Sequence, residues 1–247
     1  MMRAVVLAAG DGGRLGPHTE LLPKALVPVA GRPIIQYTLE ALAAAGVEEA
    51  VVVTGHRERQ LLAALREAPG VPRLRFVSNP QFHRGASFSL RVARRAVGDE
   101  RFLLVMADHL LSSEVIRRLL KPALAAENLV AADFAPEPHH DVHEATRLRV
   151  DSHATHGEPR MVTAIGKHVA PYDGLDAGAF RLGPSVWAAA DSVAADCELS
   201  VIFGALIDQG ELFAADISGT FWFDVDTEQD LAAAEELVRA RSERGVA

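Results

Sequence analysis

Residues 7–24 of the chain read LAAGDGGRLGPHTELLPK, and their types suit one task, the wrapping of a polyphosphate. Glycines let a backbone approach phosphate oxygens and take positive φ, so that successive N–H groups point inward. Arg14 and Lys24 could then close on the charge. Two other phosphate loops do not fit. A Walker loop needs Gly, four residues, then Gly-Lys-Ser/Thr, yet Gly16 is followed by Pro17. The dinucleotide fingerprint needs a glycine where Leu15 stands, and a helix opening at once, which Pro17 and Pro23 oppose. What fits is a flexible loop around a triphosphate. Carboxylates form a second set. Asp108 ends the apolar run in VMADHLLS, and a carboxylate at a strand end suits Mg²⁺, which takes one or two carboxylates plus phosphate oxygens. A lone Asp there is more often a helix cap, and it is a partner carboxylate motif that changes this. FDVDT at 223–227 sets Asp224 and Asp226 either side of Val225, on one face of a strand.

Such residues need a scaffold that brings them to one rim. Strands are expected at Arg3–Ala9, Ala50–Thr54, Leu74–Ser78 and Arg101–Ala107, from short apolar runs. Helices are expected at Pro33–Ala45, Glu58–Glu67 and Ser87–Ala96. This alternation predicts an α/β fold with a doubly wound, mostly parallel sheet. Ligands in such sheets sit beyond the carboxyl ends of the strands, where Gly10, Gly55, Asn79 and Asp108 would share a rim. From 133 to 174 the chain is rich in His and Pro, with short alternating pieces at Arg147–Asp151 and Met161–Ile165. It reads as a small β-rich insertion over the active site, within a single domain spanning 1–247. Phe221–Val225 returns as a strand and Glu228–Arg241 as a helix.

Composition narrows the partners. The 247 residues, 49% of them apolar, suit one sizeable domain. A net charge of -8, from 25 basic and 33 acidic residues, argues against nucleic acid. The single cysteine, Cys197, excludes an internal disulfide and a cysteine-cluster metal site. No apolar run approaches the ~18 residues that span a bilayer, and the first strand leaves no room for a signal peptide, so no membrane insertion and a cytoplasmic location are expected. His139, His140 and His143 are closely spaced, but no second cluster accompanies them, and a solvated loop is the simpler reading than zinc.

The pattern LAAGxGxRL…PKALVPVAGRPII resembles the N-terminal signature of the sugar-phosphate nucleotidyltransferases, which implies a GT-A-like nucleotidyltransferase fold. NPQFHRGASFSL, at 79–90, resembles the base-selecting segment of cytidylyltransferases, although the Asn usual there is missing from Gly85–Ser89. The MADH and WFDVDT motifs, with Glu144-Ala145-Thr146, Ile165-Gly166-Lys167 and Leu175-Asp176-Ala177-Gly178, are similar to the CTP:inositol-1-phosphate cytidylyltransferases. Ala177 stands where that family usually has Thr. The resemblance runs from about residue 4 to 238.

The resemblance implies an enzyme joining CTP to a small phosphomonoester, inositol 1-phosphate, to give CDP-inositol and pyrophosphate. It implies nucleotide contacts from Leu7, Ala8, Ala9, Gly10, Gly12 and Gly13, and from Asn79, Ser87 and Ser89. Arg14 and Lys24 would carry catalysis. Asp108 and Asp226 would hold Mg²⁺, with Asp224 beside them, and Glu144, Lys167 and Asp176 would bind the acceptor. A phosphomonoester has its second pKa near ~6, so it is mostly dianionic at neutral pH and needs no general base. Phosphocholine, a phosphonate and a sugar 1-phosphate are the alternative acceptors. Choline would need an aromatic cage, for which Phe134, Tyr172, Phe180 and Trp222 are available. A catalytically silent nucleotide-binding regulator is the non-enzyme alternative. The product of this family often feeds a membrane phosphatidyltransferase, expected here as a separate partner. A homodimer and a monomer are both compatible with the sequence.

Overall fold

A computed structural model describes residues 2–121, 126–142, 144–151 and 158–243. The strands are β1 (Arg3–Ala8), β2 (Pro28–Val29), β3 (Arg32–Pro33), β4 (Glu49–Thr54), β5 (Arg73–Ser78), β6 (Phe102–Met106), β7 (His109–Leu111), β8 (Asn128–Asp133), β9 (Arg147–Val150), β10 (Arg160–Gly166), β11 (Gly174–Leu182), β12 (Leu212–Asp216) and β13 (Trp222–Asp224). The helices are α1 (Ile34–Ala44), α2 (Glu58–Leu65), α3 (Ala86–Val97), α4 (Ser113–Leu119), α5 (Ser185–Asp191), α6 (Leu199–Asp208) and α7 (Glu228–Glu243). Elements read from the first half of the sequence lie within two residues of these bounds.

Among the described residues, nine strands form one sheet in the order β5-β4-β1-β6-β11-β8-β12-β10-β9. β5, β4, β1 and β6 are parallel neighbours, so their carboxyl ends share one rim, as the sequence predicts. β11 enters antiparallel between β6 and β8, and β12 runs parallel to β8. The β-rich stretch expected over the rim is continuous with this sheet. β10 and β9 extend it antiparallel beyond β12, and β9 returns to pair with the start of β11.

Alternation along β1 explains the layering. Ala4, Val6 and Ala8 join the core under α1, α2 and α4, while Val5, Leu7 and Ala9 join the core under α3, α5 and α6. A strand buried on both faces must be apolar at every position, hence the run AVVLAA. A third cluster ties Leu15 of the glycine-rich loop to Val27, Ile34, Leu110 of β7, Phe223 of β13 and Leu231 of α7. This cluster fixes the loop against the two-stranded β7–β13 sheet, and on that junction the polar site is built.

Candidate active site

Asp108 follows β6, where Ala107 N–H donates to Leu7 carbonyl oxygen at 3.1 Å. The chain then turns into β7, which pairs antiparallel with β13 so that His109 lies opposite Asp224. The expected strand over Phe221–Val225 stops at Asp224. The next N–H, that of Val225, donates instead to the Asp108 carbonyl oxygen at 3.1 Å, which pins the two carboxylate loops together. Asp226 therefore lies in the turn before α7, not on the strand. That turn is fixed by Asp230, whose Oδ2 accepts from Thr227 N–H at 2.8 Å and Asp226 N–H at 3.2 Å.

Lys24 reaches this point from the loop. Its Nζ donates to Asp108 Oδ2 at 2.7 Å and to Asp226 Oδ1 at 2.5 Å. Gly12 makes room for it: its φ is +69°, and a Cβ there would stand 2.5 Å from Lys24 Cβ. Burial alone would lower the Lys24 pKa, but Asp108, Asp226 and Asp224 together hold it above the ordinary lysine value. Arg14 Nη2 lies 2.7 Å from Asp226 Oδ2, and its Nη1 3.8 Å from Glu144 Oε2. Lys167 Nζ donates to that same Glu144 oxygen at 3.2 Å. A continuous chain of charges thus joins two of the three expected acceptor residues, Glu144 and Lys167, to the expected phosphate and metal residues.

Sequence reasoning gave His109 no role, yet it organises the other flank. Its Nδ1 lies 2.9 Å from Asp108 Oδ1 and 3.6 Å from Asp224 Oδ1. Burial would lower its pKa, but Asp224 and Asp108 outweigh this and raise it to about 9. Burial raises the Asp108 pKa too, but Lys24 and His109 together hold it well below the carboxylate range. Burial pushes Asp224 up to about 7, helped by the negative charges of Asp108 and Asp226. Burial likewise pushes Asp176 up to about 7, against a hydrogen bond from Gly178 N–H at 2.8 Å. Gly178 has φ +69°, and a Cβ there would lie 2.5 Å from the His109 ring, so only glycine lets the imidazole sit against Asp108.

The group suits a cation. Ligand atoms of Asp108, His109 and Asp224 lie within 4.8 Å of one another, and Asp224 Oδ1 is buried without a hydrogen-bond partner among the described residues. A buried carboxylate with a raised pKa, as Asp224 has here, is stabilised as an anion by added positive charge. The cavity here measures about 270 Å³, and its far wall includes Glu198 and Ser200 at the start of α6, which the sequence did not single out. Their place on that wall depends on the packing of α6 against the sheet, for which no local motif exists.

Other expected residues play internal parts. Asn79 is fully buried and donates to Ser89 Oγ at 3.0 Å, while Ser87 Oγ donates to Ala195 carbonyl oxygen at 3.1 Å. These three side chains brace the rim under α3, and none of them lines the cavity. Leu7, Ala8 and Ala9 are buried, and the Ala9 carbonyl accepts from His56 N–H at 2.9 Å. Gly10 and Gly13 have open space beside them. Of the histidine run, His140 stacks on Trp222 at 4.1 Å between ring centroids and touches His139 at 4.3 Å; His143 lies outside the described residues. No helix among the described residues is long and apolar enough to cross a membrane.

A family model described as "MobA-like NTP transferase domain" matches residues 4–192. The chain is similar to a "Bifunctional IPC transferase and DIPP synthase" of Rubrobacter xylanophilus, 38% identical over 239 residues, 95% of this chain and 51% of that one. A protein of the same description from Aquifex aeolicus is 30% identical over 248 residues, 98% of this chain and 53% of that one. The chain thus spans about half the length of these curated relatives. Among solved structures, the "inositol-1-phosphate CTP transferase from T. maritima" superposes with a TM-score of 0.81 at 24% identity, covering 100% of this chain and 98% of that one. That likeness shows a shared fold.

Proposed function

The chain belongs to the MobA-like NTP transferase family, and from that membership we propose that it transfers the cytidylyl group of CTP to inositol 1-phosphate, releasing pyrophosphate. One observation carries the nucleotidyl-transfer part: the ammonium of Lys24 is held between Asp108 and Asp226 at the foot of a glycine-rich loop. A cation that would serve phosphates and carboxylates that would serve a metal thereby meet at one point, which supports this reading. The superposed structure is named for CTP and inositol 1-phosphate, and the relatives named as IPC transferases are in keeping with that choice.

The lining favours a polyol over choline. A choline cage needs open aromatic faces. Here Arg160 lies over Phe134 and Arg147 over Tyr172, while Phe180 stacks on Phe203 and His140 on Trp222. The acceptor side instead offers Glu144, Asp176 and Glu198, acceptors suited to hydroxyl groups, with Lys167 for the phosphate.

In this reading an acceptor phosphate oxygen attacks the α-phosphorus of CTP, and the bond from that phosphorus to the pyrophosphate oxygen breaks. The acceptor arrives as a dianion, so no side chain has to remove a proton. Lys167 orients the acceptor phosphate. Arg14 and Lys24 turn from their carboxylates to the polyphosphate and stabilise charge growing on the leaving pyrophosphate. Mg²⁺ held by Asp108 and Asp226, with Asp224 beside them, would neutralise phosphate charge during transfer. The backbone of Leu7–Gly10 and of the Gly12–Gly13 turn would carry the nucleotide, with Asn79, Ser87 and Ser89 shaping the base site from beneath.

Pyrophosphate release tests this, with four nucleoside triphosphates crossed against inositol 1-phosphate, phosphocholine and glucose 1-phosphate. The pair CTP and inositol 1-phosphate is expected to exceed every other by at least about tenfold in kcat/KM, a difference of ~1.4 kcal/mol. Preference for another pair would replace the substrates while keeping the chemistry. No release with any pair would overturn both.

A further inference from the structure

The far wall of the cavity hangs on a segment with little backbone support of its own. α5 ends at Asp191 and α6 begins at Leu199. Among the described residues, no backbone–backbone hydrogen bond begins or ends within 193–197. Glu198 and Ser200 nonetheless line the cavity together, and Ser200 Oγ donates to Glu198 Oε2 at 3.3 Å. Carbonyl groups without backbone partners must find donors elsewhere or be left to water.

The donors come from α3. Ser87 Oγ donates to the Ala195 carbonyl oxygen at 3.1 Å, and Arg91 Nη2 donates to the carbonyl oxygens of Val193 and Ala194, each at 3.2 Å. Ser87 and Arg91 are four positions apart, so they share one face of the helix. Ser87 is fully buried, and the Arg91 side chain is 19% exposed. Asp191, at the end of α5, lies 3.6 Å from Arg91 Nη1 and 2.9 Å from Arg94 Nη1. Three successive carbonyls are thus fastened to a helix whose first residues belong to the expected base-selecting segment, 79–90. A guanidinium suits this task, because its planar array of donors can hold two neighbouring acceptors, where an ammonium on a flexible stem holds them less well.

We infer that Arg91 is a positioning residue for the acceptor. It fixes segment 193–198 to α3, so that Glu198 and Ser200 meet the acceptor hydroxyl groups. Arg91 does not line the cavity and acts only through that segment. Although it stands on the nucleotide side of the fold, it serves the second substrate. The inference rests on the reading above that this cavity takes the acceptor.

Two measurements on the full chain test it. Hydrogen exchange followed by mass spectrometry needs no substrate: amides of 193–200 should exchange about tenfold faster in Arg91→Met than in the parent, with those of β11 unchanged. Steady-state kinetics reads the substrate split. The KM for inositol 1-phosphate should rise about tenfold in Arg91→Met and about threefold in Arg91→Lys, which keeps the charge without the planar fork, while the KM for CTP stays within twofold. A merely structural residue would move both KM values, or kcat, together. Should Arg91→Met fail to fold, Arg91→Lys carries the same comparison. With an active parent, unchanged exchange in 193–200, an unchanged acceptor KM, or equal rises for both substrates would each overturn the inference. A parent that uses another acceptor corrects the substrate alone, and the split measured with that acceptor still decides Arg91. A parent inactive with every substrate pair would overturn the function and this inference with it.

Discussion

The two halves of the sheet contribute different things to the same cavity. In the half made of β5, β4, β1 and β6, parallel strands end together, and the chemistry sits immediately after a strand, as Gly10 and Asp108 do. In the half made of β11, β8, β12, β10 and β9, antiparallel entries dominate, and Asp176 and Gly178 come from within a strand. Between Asp176 and Phe180 the β11–β8 register shifts, around the positive φ of Gly178. A parallel rim presents loops, which suits wrapping a polyphosphate. An irregular strand presents side chains, which suits reading an acceptor.

If the first half carries the chemistry, its loss should dominate every other change. Asp108→Asn removes a charge that Lys24 and His109 both meet, and should abolish metal-dependent turnover while the far-UV circular dichroism stays native. Turnover within tenfold of the parent would break the comparison at its root.

That half was also the legible one. AVVLAA, AVVVT and FLLVM are continuous apolar runs because their strands are buried on both faces, and the glycine-rich loop and Asp108 follow them directly. β11 was not legible. Its nine residues lie between β6 and β8 through pairings with segments some 45–80 positions earlier, and no local pattern encodes such partners. His109 was missed for a related reason. Its role comes from Asp224, which the β7–β13 ladder sets opposite it. Asp224 and Asp226 were legible as a pair, but the turn that separates them is made by Asp108 and Asp230, and neighbours cannot be read from a five-residue motif.

A second substitution sharpens the point by splitting two effects. Lys24→Met should lower kcat/KM by about 10²–10³, the scale of one preorganised charge contact. The same change removes the resident cation between Asp108 and Asp226. Mn²⁺ binding without nucleotide should therefore tighten, by on the order of tenfold, when followed by isothermal titration. Weaker Mn²⁺ binding by Lys24→Met would show that the ammonium supports the metal site instead of filling it.

The acceptor half should yield smaller, substrate-selective losses. Lys167→Met breaks a contact with Glu144 at the rim, where both side chains are solvent-exposed. It should raise the KM for the acceptor about tenfold, in the range for one charge-assisted contact, and leave the KM for CTP within twofold. Equal effects on both substrates would merge the two regions into one site.

The smallest effect probes the seam between the halves. His140 stacks on Trp222, and Trp222 Nε1–H donates to Asp133 Oδ2 at 2.9 Å. The stack closes the loop after β8 onto β13. Burial, and then the neighbouring His139, lower the His140 pKa from its ordinary 6.5 to about 4, against the opposing charge of Asp133. The folded state thus keeps the ring neutral at a pH where the unfolded chain is protonated. Between pH 6.5 and 4 the unfolded state binds more protons, so this stability is complete above about 6.5 and is lost as pH falls toward about 4. With allowance for solvent at a half-buried ring, the loss is on the order of 1–2 kcal/mol. His140→Phe keeps a ring on Trp222 and cannot titrate, so urea melts at pH 7.5 and 5 should show a shallower decline than in the parent. Parallel declines would mean that the imidazole stays accessible to protons in the folded protein, and that the seam is open to water.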